Sequence, residues 1–479
     1  MSIWVVLTGA ALALYVATVW WHSRKPLPSG LSVEGKWRSP VASQLLLDET
    51  FVDADGQRHC RQQIFDEMLR LIGQAKKLVV LDMFQFNDPA DDRHDCHDCH
   101  RQISVAMRDA LLNRKHQRPD IEIVVITDPI NAVYGGLELS HHQALEAAGI
   151  RVATTDLTIG RDPNPSWTAL WRLSFRWLRH SPRAGWLPNP IGQGKVGLRS
   201  YLTLLNLNAN HRKTLVVDEG DRWTAVVSSA NADDGSSDYR DVALRVSGDT
   251  AIDLLASECE IAALSGVPIA HVQPTAATSD KSGDTPRLRL LSEGAIKRAS
   301  LAIIDDAHAD ERLDIEILYL SHRRVIAAVV RAAARGVKVR VLLDPNHHAF
   351  GVSGSGIPNR QAANDLINAD IQLRWSDTRG EQAHGKVLLR HAGKRPAHLL
   401  LGSANYTRRS LNDLNFEANL EWVADSDDEI IHEARAAFER HWHNTDTEHY
   451  STGPEAYLDA SRWRYWQYRL MEASGWCTF

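Results

Sequence analysis

HRKTLVVD, from His211 to Asp218, and HGKVLLRH, from His384 to His391, are the two stretches that decide the fold. Each stretch places a lysine two positions after its first histidine and then continues as an apolar run of strand length. Because side chains two positions apart in a strand point to the same face, each histidine and its lysine are expected to share a face. The same pattern occurs twice in 479 residues, which predicts a duplicated fold.

Each stretch is followed by a serine-alanine-asparagine sequence and then by an acid. The asparagine comes twenty residues after the histidine in the first copy and twenty-one in the second. Matched offsets in two copies favour one shared site over a chance pattern. The candidate catalytic residues are His211, Lys213, Asp218, Asn231, Asp241, His384, Lys386, Asn405 and Glu417, and the candidate substrate-binding residues are Ser229 and Ser403.

The sequence before each stretch also repeats. A strand, a helix and a second apolar strand lead to Asp128-Pro129 in the first copy and to Asp344-Pro345 in the second. Apolar runs that alternate with helices are typical of strands buried on both faces of a sheet. The sequence therefore predicts the α/β class, with two α/β/α sandwich halves of similar size.

The repeated residue types suit the transfer of a phosphodiester. One histidine can attack phosphorus and form a covalent intermediate, while the other protonates the leaving oxygen and then deprotonates the acceptor. Buried acids would orient the two imidazoles. Lysines and asparagines would bind the non-bridging oxygens, where negative charge develops. We expect no cofactor and no catalytic metal, because the two lysines supply the positive charge.

These two stretches resemble the paired HxKxxxxD motifs of the phospholipase D superfamily. The resemblance runs from about residue 45 to the C-terminus, and LLDPNHHAFGVSGSGIPN and GEQAHGK are similar to bacterial members related to cardiolipin synthases. It implies two similar α/β/α domains with one shared active site, His211 as the nucleophile and His384 as the general acid. The second motif departs from the family pattern, since His391 stands where aspartate is usual, and we expect Glu417 to orient His384. Ser228 replaces a usual glycine, with little expected effect.

The resemblance and the composition together predict the domain organisation. A polar stretch, VQPTAATSDKSGDTP, separates the two halves and is typical of a linker. The predicted segments are a transmembrane anchor (1–25), a linker (26–45), an N-terminal phospholipase D-like domain (46–271, with an insert at about 160–200), a linker (272–286) and a C-terminal phospholipase D-like domain (287–479).

The N-terminal segment is expected to anchor the protein in a membrane. Residues 3–21 carry no charged side chain and have tryptophans near both ends. A cleaved signal peptide would have a positive start and a shorter apolar core, so a retained anchor is favoured. Arg24 and Lys25 follow the span, and the positive-inside rule then places the large domain in the cytoplasm. The resemblance to bacterial family members implies that the membrane is the bacterial inner membrane.

The insert in the first half is expected to contact the same membrane. Helical periodicity over residues 165–178 places aromatic and aliphatic side chains on one arc and arginines on the opposite side. This pattern is typical of a helix that lies in a membrane interface, although an ordinary helix that covers the core would look similar. The candidate membrane contacts are Trp167, Trp171, Trp177, Arg172, Arg176 and Arg179.

A cluster of cysteines and histidines lies in DDRHDCHDCHRQ. Such spacing can bind zinc, but a plain polar loop is favoured because one short loop rarely supplies four ligands. Cys60 or His59 would have to complete the set. The weak candidate ligands are His94, Cys96, Cys99 and His100.

The predicted anchor, the insert rich in tryptophan and arginine, and the formal net charge of −6 favour a lipid substrate over a nucleic acid. The leading hypothesis is a membrane-anchored phosphatidyltransferase or phospholipase D that acts on a glycerophospholipid, with no nucleic acid partner. The alternatives are a phosphodiesterase that acts on nucleic acid and a non-catalytic membrane scaffold. The sequence leaves open the choice between hydrolysis and transfer, the headgroup and the oligomeric state.

Overall fold

The computed structural model describes residues 3–86, 101–178, 181–183, 185–269, 285–349, 352–353 and 355–479. The cysteine and histidine cluster and Arg179 lie outside the described residues, as does nearly all of the predicted linker at 272–286.

Helices account for both ends of the described chain and for the outer layers. In the described part they are α1 (Ile3–Arg24), α2 (Ile64–Gln74), α3 (Ile103–Gln117), α4 (Ser140–Ala147), α5 (Pro165–Leu173), α6 (Leu198–Leu204), α7 (Asp249–Leu264), α8 (Gly294–Asp305), α9 (Arg323–Ala334), α10 (Asn359–Ile367), α11 (Arg408–Leu411), α12 (Glu429–His443) and α13 (Arg462–Ser474).

The first half contains one large mixed sheet. Its strands lie in the order β2-β1-β10-β9-β8-β3-β4-β5, and a short strand from the second half, β20, pairs with β1. The first-half strands are β1 (Ser43–Asp53), β2 (Arg58–Arg61), β3 (Leu78–Met83), β4 (Glu122–Thr127), β5 (Arg151–Thr154), the separate pair β6 (Leu187–Pro188) and β7 (Lys195–Val196), then β8 (Lys213–Asp218), β9 (Trp223–Ser228) and β10 (Asp241–Ser247).

The second half has the order β11-β19-β18-β17-β12-β13-β16-β21, in which the strands from β11 to β16 repeat the order from β1 to β5 and β21 is added at the edge. The strand directions are also equivalent. Strands β3 and β4 are parallel, as are β12 and β13. The strands that begin with the two lysines, β8 and β17, run antiparallel to β3 and β12 respectively. The remaining strands are β11 (Arg287–Ser292), β12 (Arg312–Ile317), β13 (Lys338–Leu343), β14 (His348–Ala349), β15 (Val352–Ser353), β16 (Gln372–Ser376), β17 (Lys386–His391), β18 (Ala397–Gly402), β19 (Ala418–Ala424), β20 (Glu448–His449) and β21 (Ser451–Thr452).

The two halves share one apolar core. Side chains from the inner faces of both sheets, such as Val80, Val216, Leu399 and Leu420, belong to a single buried cluster. Two further clusters lie between each sheet and its outer helices. The continuous apolar runs predict strands that are buried on both faces. The central strands of both sheets are buried in this way, with one cluster on each side. The predicted duplicated α/β fold is confirmed.

Helix α1 is the one described helix that is long and apolar enough to cross a membrane. It has 22 residues, a mean hydropathy of 1.9 over its most apolar window and no buried residue in that window. Its second half contacts α5, where the Tyr15 hydroxyl donates to the Ser166 carbonyl at 3.0 Å. Just beyond α1, Lys25 Nζ donates to the Thr158 carbonyl at 2.6 Å.

The insert differs from the expected continuous helix. Helix α5 ends at Leu173, and a short 3₁₀ turn, Phe175–Trp177, follows. Ser174 terminates α5, since its backbone leaves the helical region and its hydroxyl donates to the Leu170 carbonyl at 2.6 Å. Competition of this kind between a serine side chain and the backbone disfavours helix propagation.

Candidate active site

Each histidine-lysine pair lies at the start of a central strand, in a loop that a buried aspartate holds. Asp128 Oδ2 accepts the backbone N–H of Asn210 at 2.7 Å, one residue before His211. Asp344 Oδ2 accepts the backbone N–H of Ala383 at 2.8 Å, one residue before His384. The repeated Asp-Pro sequence therefore anchors both strand entries, a role that the sequence pattern did not reveal.

The two halves exchange backbone contacts at the site. The N–H of His211 donates to the Phe416 carbonyl at 2.8 Å, and the N–H of His384 donates to the Arg240 carbonyl at 2.8 Å. Phe416 and Arg240 each immediately precede the candidate acid of the opposite half. These bridges place each histidine next to the acid of the other half.

His211 is paired with Glu417. Its Nδ1 lies 3.0 Å from Glu417 Oε2, and the carboxylate is completely buried. The Phe84 ring lies beside the imidazole, with 4.9 Å between centroids. A carboxylate on Nδ1 sets the orientation of the ring and leaves Nε2 available to react.

His384 is paired with Asp241. Its Nδ1 lies 2.8 Å from Asp241 Oδ1, and both side chains are buried. The expectation that Glu417 orients His384 was therefore wrong. Both candidate acids do contact candidate histidines, but the pairing crosses between the halves because of the backbone bridges.

The two serines support the acids. Ser229 Oγ donates to Asp241 Oδ1 at 2.5 Å, and Ser403 Oγ donates to Glu417 Oε2 at 2.5 Å. Both serines are completely buried. The prediction that they bind substrate is contradicted by these contacts, which place them behind the acids and away from the reacting atoms.

Two buried lysines supply the positive charge of the site. Lys213 Nζ donates to the His211 carbonyl at 2.7 Å, and Lys386 Nζ donates to the His384 carbonyl. An ammonium has three protons, so each lysine keeps further protons for an anionic ligand. Lys213 Nζ also lies 4.9 Å from the centroid of the Phe84 ring.

The asparagines occupy equivalent places in the two halves. Asn231 Nδ2 donates to Gln85 Oε1 at 2.9 Å, and Asn405 Oδ1 accepts the backbone N–H of Tyr319 at 3.3 Å. Gln85 and Tyr319 lie just beyond the ends of the equivalent strands β3 and β12. Both asparagines are buried. In each half, the asparagine and the histidine lie at the same end of the sheet.

The last residue of each motif lies at the opposite end of its strand. Asp218 Oδ1 accepts the backbone N–H groups of Lys77 and Leu78 at 2.7 and 2.8 Å. His391 Nε2 lies 2.7 Å from Asp314 Oδ2. Both positions connect neighbouring strands. Asp218 is thus not part of the reacting group, and the departure at His391 lies away from the site.

Burial and mutual repulsion lower the pKa values of the two histidines and the two lysines. Burial, with the charges of Lys213 and Lys386, holds the pKa of His211 well below its usual range. Burial and Lys386 lower the pKa of His384 to about 4, against the opposing effect of Asp241. Burial lowers the pKa of Lys213 to about 8 and that of Lys386 to about 7. The ligand-free site therefore favours neutral imidazoles.

The pKa values of the two acids are shifted in opposite directions. Burial raises the pKa of Glu417 to about 7. Burial acts in the same direction on Asp241, but His384, the charge of Lys386 and the hydrogen bond from Ser229 together outweigh it and hold the pKa of Asp241 below its usual value. Asp241 is therefore firmly ionised next to His384, whereas Glu417 stabilises a positive charge on His211 less effectively.

The five described candidate membrane contacts do not form one surface. Trp171 is buried, and Arg172 is tied to the buried Asp162 at 2.8 Å, so the prediction that they face a membrane was wrong. Trp167 is half-buried and donates to the Leu202 carbonyl at 2.9 Å. Only Trp177, at 74% exposure, and the exposed Arg176 remain accessible among the described candidates.

The weak metal candidates lie outside the described residues, and their proposed fourth ligands have other partners. Cys60 is disulfide-bonded, and His59 Nε2 lies 2.7 Å from Asp53 Oδ2. Within the described ranges, no group of three or more histidine, cysteine, aspartate or glutamate side chains is placed to hold a metal ion.

Comparison with known proteins relates the second half of this site to a family. Residues 301–442 match the family model described as cardiolipin synthase, PLD-like domain. No curated protein sequence matches the chain significantly. The crystal structure of phosphatidylserine synthase from Haemophilus influenzae Rd KW20 has a similar fold, with a TM-score of 0.54 and 10% identity over 86% of this chain and 89% of that chain.

Two further solved structures align less well. Polyphosphate kinase from Porphyromonas gingivalis gives a TM-score of 0.46 and 13% identity, over 90% of this chain and 53% of that chain. Nuc from Salmonella typhimurium, a phospholipase D family member, gives 0.28 and 19%, over 34% of this chain and 99% of that chain. At these scores neither alignment assigns a fold to the whole chain.

The duplicated sheet order defines an α/β fold of two similar halves, and the second half contains the matched phospholipase D-like domain. Residues 301–442 are similar to the cardiolipin synthase, PLD-like domain family, and they carry His384, Lys386 and Glu417. A phospholipase D-like domain of this kind indicates a phosphatidyltransferase or a phosphodiesterase.

Proposed function

We propose that the protein is a membrane-anchored phosphatidyltransferase or phospholipase D that acts on glycerophospholipids through a covalent phosphohistidine. The observation that carries this proposal is the crossed pair of histidine-carboxylate contacts, His211 with Glu417 and His384 with Asp241, beside two buried lysines. The domain bounds 46–271 and 287–479 are proposed on the same basis, since each unit then supplies one histidine and the acid for the other.

In the first step, Nε2 of neutral His211 attacks the phosphorus of the lipid. Lys213 and Lys386 bind the non-bridging oxygens, together with the asparagine amides, and stabilise the charge of the transition state. The bond from phosphorus to the headgroup oxygen breaks, and His384 donates its proton to that oxygen. The product is a phosphatidyl group on His211 and a free headgroup alcohol.

In the second step, an alcohol or water enters where the headgroup left. His384, now neutral, takes the proton from the incoming hydroxyl, whose oxygen forms the new bond to phosphorus. The bond between phosphorus and Nε2 of His211 breaks. The enzyme returns to its first state, and the product is a new phosphodiester or a phosphatidic acid.

The unequal acids support this division of labour. An imidazolium at His384 is stabilised by the ionised Asp241, which suits a proton donor. His211 has a carboxyl partner whose pKa is raised by burial, which suits a neutral nucleophile. The ligand-free site disfavours protonated His384, but a phosphodiester adds a negative charge among the four cationic groups and raises its pKa.

Three segments would face the membrane together. Helix α1 contacts α5, and the C-terminal segment reaches the same place, where Trp476 Nε1 donates to Ser166 Oγ at 3.0 Å. Trp177 after α5 is 74% exposed, and Trp463 and Trp466 on α13 are 77% and 58% exposed. Exposed tryptophans around an apolar span of membrane length are typical of a membrane interface.

We propose the inner membrane with the catalytic halves in the cytoplasm, on the basis of Arg24 and Lys25 after α1. The disulfide at Cys60 is a feature of oxidising compartments and favours the opposite side. Labelling of intact cells with a membrane-impermeant thiol reagent after reduction distinguishes the two sides. Labelling of Cys60 without permeabilisation would overturn the cytoplasmic assignment.

The proposed activity is tested by incubating the purified full-length protein with phosphatidylglycerol vesicles and analysing the lipid products. We expect phosphatidic acid, a transfer product or both, and no product from His211→Ala. A single-stranded oligonucleotide serves as the comparison substrate. Cleavage of the oligonucleotide without any lipid product would replace the proposal with the nucleic acid alternative.

A further inference from the structure

Glu293 is a completely buried acid that the mechanism above does not use. It lies between β11 and α8, directly after Ser292, which pairs with Ala418 on β19. The next residue pair along this register is Glu293 and Glu417. Glu293 therefore lies beside the acid that contacts His211.

One carboxylate oxygen of Glu293 joins the two halves behind the nucleophile. Its Oε1 accepts a hydrogen bond from Arg212 Nη2 at 2.8 Å and another from the backbone N–H of Glu417 at 3.3 Å. Arg212 stands between His211 and Lys213 and is completely buried. The same oxygen atom therefore contacts both the strand entry that carries the nucleophile and the acid that orients it.

Arg212 is also held by the first half. Its Nη1 donates to Ser257 Oγ at 2.9 Å and to Glu258 Oε1 at 3.4 Å, and both partners lie on α7. Glu258 is buried too and accepts a hydrogen bond from Thr214 Oγ1 at 2.9 Å. Because a buried ion pair is costly to break, this arginine fixes the position of the Glu293 carboxylate.

The second oxygen of Glu293 contacts the segment that follows the membrane span. Its Oε2 accepts the backbone N–H of Ser32 at 2.7 Å. Ser32 Oγ donates to Asp413 Oδ1 at 3.1 Å, and the same Asp413 oxygen accepts the backbone N–H of Gly294 at 2.8 Å. Hydrogen bonds to both of its oxygens keep the Glu293 carboxylate from turning away from Glu417.

The backbone of Glu293 is strained in this position. Its φ is +46°, a value that residues other than glycine rarely adopt. Such strain persists only where the surrounding contacts impose it, and it is most frequent at functional sites. The three hydrogen bonds to the carboxylate are contacts of this kind.

The acid of the other histidine is supported differently. Asp48, on the equivalent strand β1, lies opposite Asp241 in register. Its Oδ1 accepts the backbone N–H groups of residues 63 and 64, at the start of α2 in the same half. The position equivalent to Arg212 is Gly385, which has no side chain to reach across the halves. The buried arginine-glutamate contact is therefore specific to the nucleophile side and is not a general requirement of the duplicated fold.

We propose that Glu293 is a positioning residue that holds Glu417 against Nδ1 of His211, and that the segment after the membrane span holds Glu293 in turn. The proposal rests on the nucleophilic role proposed for His211 and adds the support that keeps this imidazole oriented. A carboxylate fixed on Nδ1 directs Nε2 towards the substrate and makes it a better nucleophile.

Modification by diethyl pyrocarbonate tests this role without any lipid substrate. The reagent transfers an ethoxyformyl group to a neutral imidazole, and peptide mass spectrometry gives the rate at each histidine of the full-length protein at about pH 8, where Glu417 is ionised. Glu293→Gln leaves one acceptor oxygen instead of two, so the rate at His211 should fall about five- to ten-fold. His443, whose side chain is 67% exposed, is the internal reference and keeps its rate.

A double-mutant comparison separates positioning from a general loss of structure. If Glu293 acts through Glu417, the double variant Glu293→Gln/Glu417→Gln should react no more slowly than Glu417→Gln alone. Losses that multiply in the double variant would overturn the proposal. Glu311→Gln removes another buried glutamate-arginine contact, at the end of β12 remote from the site, and should leave the rate at His211 unchanged.

A neutral variant keeps the test decisive if Glu293→Gln fails to fold. Arg212→Met/Glu293→Leu replaces the ion pair by apolar side chains, a change that buried pairs often tolerate. It removes the acceptor of the Glu417 N–H and should show the same loss at His211. A wild-type rate at His211 in this folded variant would refute the positioning role.

The role of the segment after the membrane span is tested at Ser32. Ser32→Pro removes the N–H that donates to Glu293 and cannot adopt the φ of +59° found there. It should slow the modification of His211 as Glu293→Gln does, whereas Ser32→Ala keeps the N–H and should not. Equal rates in the proline and alanine variants would contradict the role of this segment.

Phosphohistidine formation from phosphatidylglycerol is then measured in the same variants. Parallel losses in modification and in phosphohistidine formation would support both the positioning role and the proposed function. A loss of modification in a protein whose wild type forms no phosphohistidine would contradict the proposed function and still support the role of Glu293. Unchanged modification of His211 in Glu293→Gln would overturn the positioning role, whatever the activity on lipid.

Discussion

Replacement of Asp241 by asparagine tests the unequal roles of the two histidines. The change keeps the size of the side chain but removes the negative charge 2.8 Å from His384 Nδ1. A hydrogen bond to a charged group contributes about 1.5–3 kcal/mol. Since 1.36 kcal/mol corresponds to one pKa unit, the pKa of His384 should fall by about 1–2 units. The same free energy corresponds to a loss of about 10- to 150-fold in a step that needs protonated His384.

The assay measures phosphohistidine formation in a single turnover with two donors. Phosphatidylglycerol has a poor leaving group that needs a proton, whereas phosphatidyl-p-nitrophenol releases a stable anion. Asp241→Asn should lose about 10- to 150-fold with the first donor and about three-fold or less with the second. Glu417→Gln is the matched variant, and it should slow both donors similarly because its partner is the nucleophile His211.

The pH profile gives an independent reading of the same change. A general acid must be protonated, so the rate with phosphatidylglycerol falls as pH rises through the pKa of His384 in the complex. Asp241→Asn lowers that pKa and should move the fall to lower pH. The reasoning is refuted if Asp241→Asn slows both donors equally while Glu417→Gln shows the dependence on the leaving group.

Three further predictions concern stability and membrane contact. Asp218→Ala leaves buried backbone N–H groups unpaired, so it should lower the free energy of unfolding by about 1–3 kcal/mol and leave kcat of the folded protein nearly unchanged. Asp221→Ala is the exposed control, and an equal loss of stability in both variants would contradict this prediction. His391→Asp restores the usual family residue but places a second carboxylate beside Asp314, so the melting temperature should fall. A rise in the melting temperature would refute the contact between His391 and Asp314. Trp177→Ser should weaken binding of the protein to anionic vesicles several-fold in a flotation assay, and unchanged flotation would exclude this contact.

Much of the fold follows from short-range patterns in the sequence. Apolar runs, helical spacing and the repeated Asp-Pro predict the strands and helices of both halves, because period and burial are local properties. The crossed pairing could not be predicted in this way. Glu417 follows His384 at nearly the offset at which Asp241 follows His211, and only the backbone bridges between the halves reverse the partners.

The insert shows a second limit. Helical periodicity placed Trp171 and Trp177 on one apolar arc, but it does not distinguish a face that packs on the protein from one that meets a membrane. Trp171 turns out to be buried, and Ser174 ends the helix before Trp177. Arg172 also belongs to the protein interior, since Asp162, ten residues earlier, is its partner.

The covalent intermediate is the step on which the proposed function depends. Full-length protein is mixed with labelled phosphatidylglycerol, quenched under alkaline conditions within the first turnover and digested for mass spectrometry. We predict a phosphatidyl group on His211, its absence in His211→Ala and its accumulation in His384→Ala when the donor is phosphatidyl-p-nitrophenol. A label on His384 in the wild-type protein, or product formation at the wild-type rate by His211→Ala, would contradict the proposed mechanism.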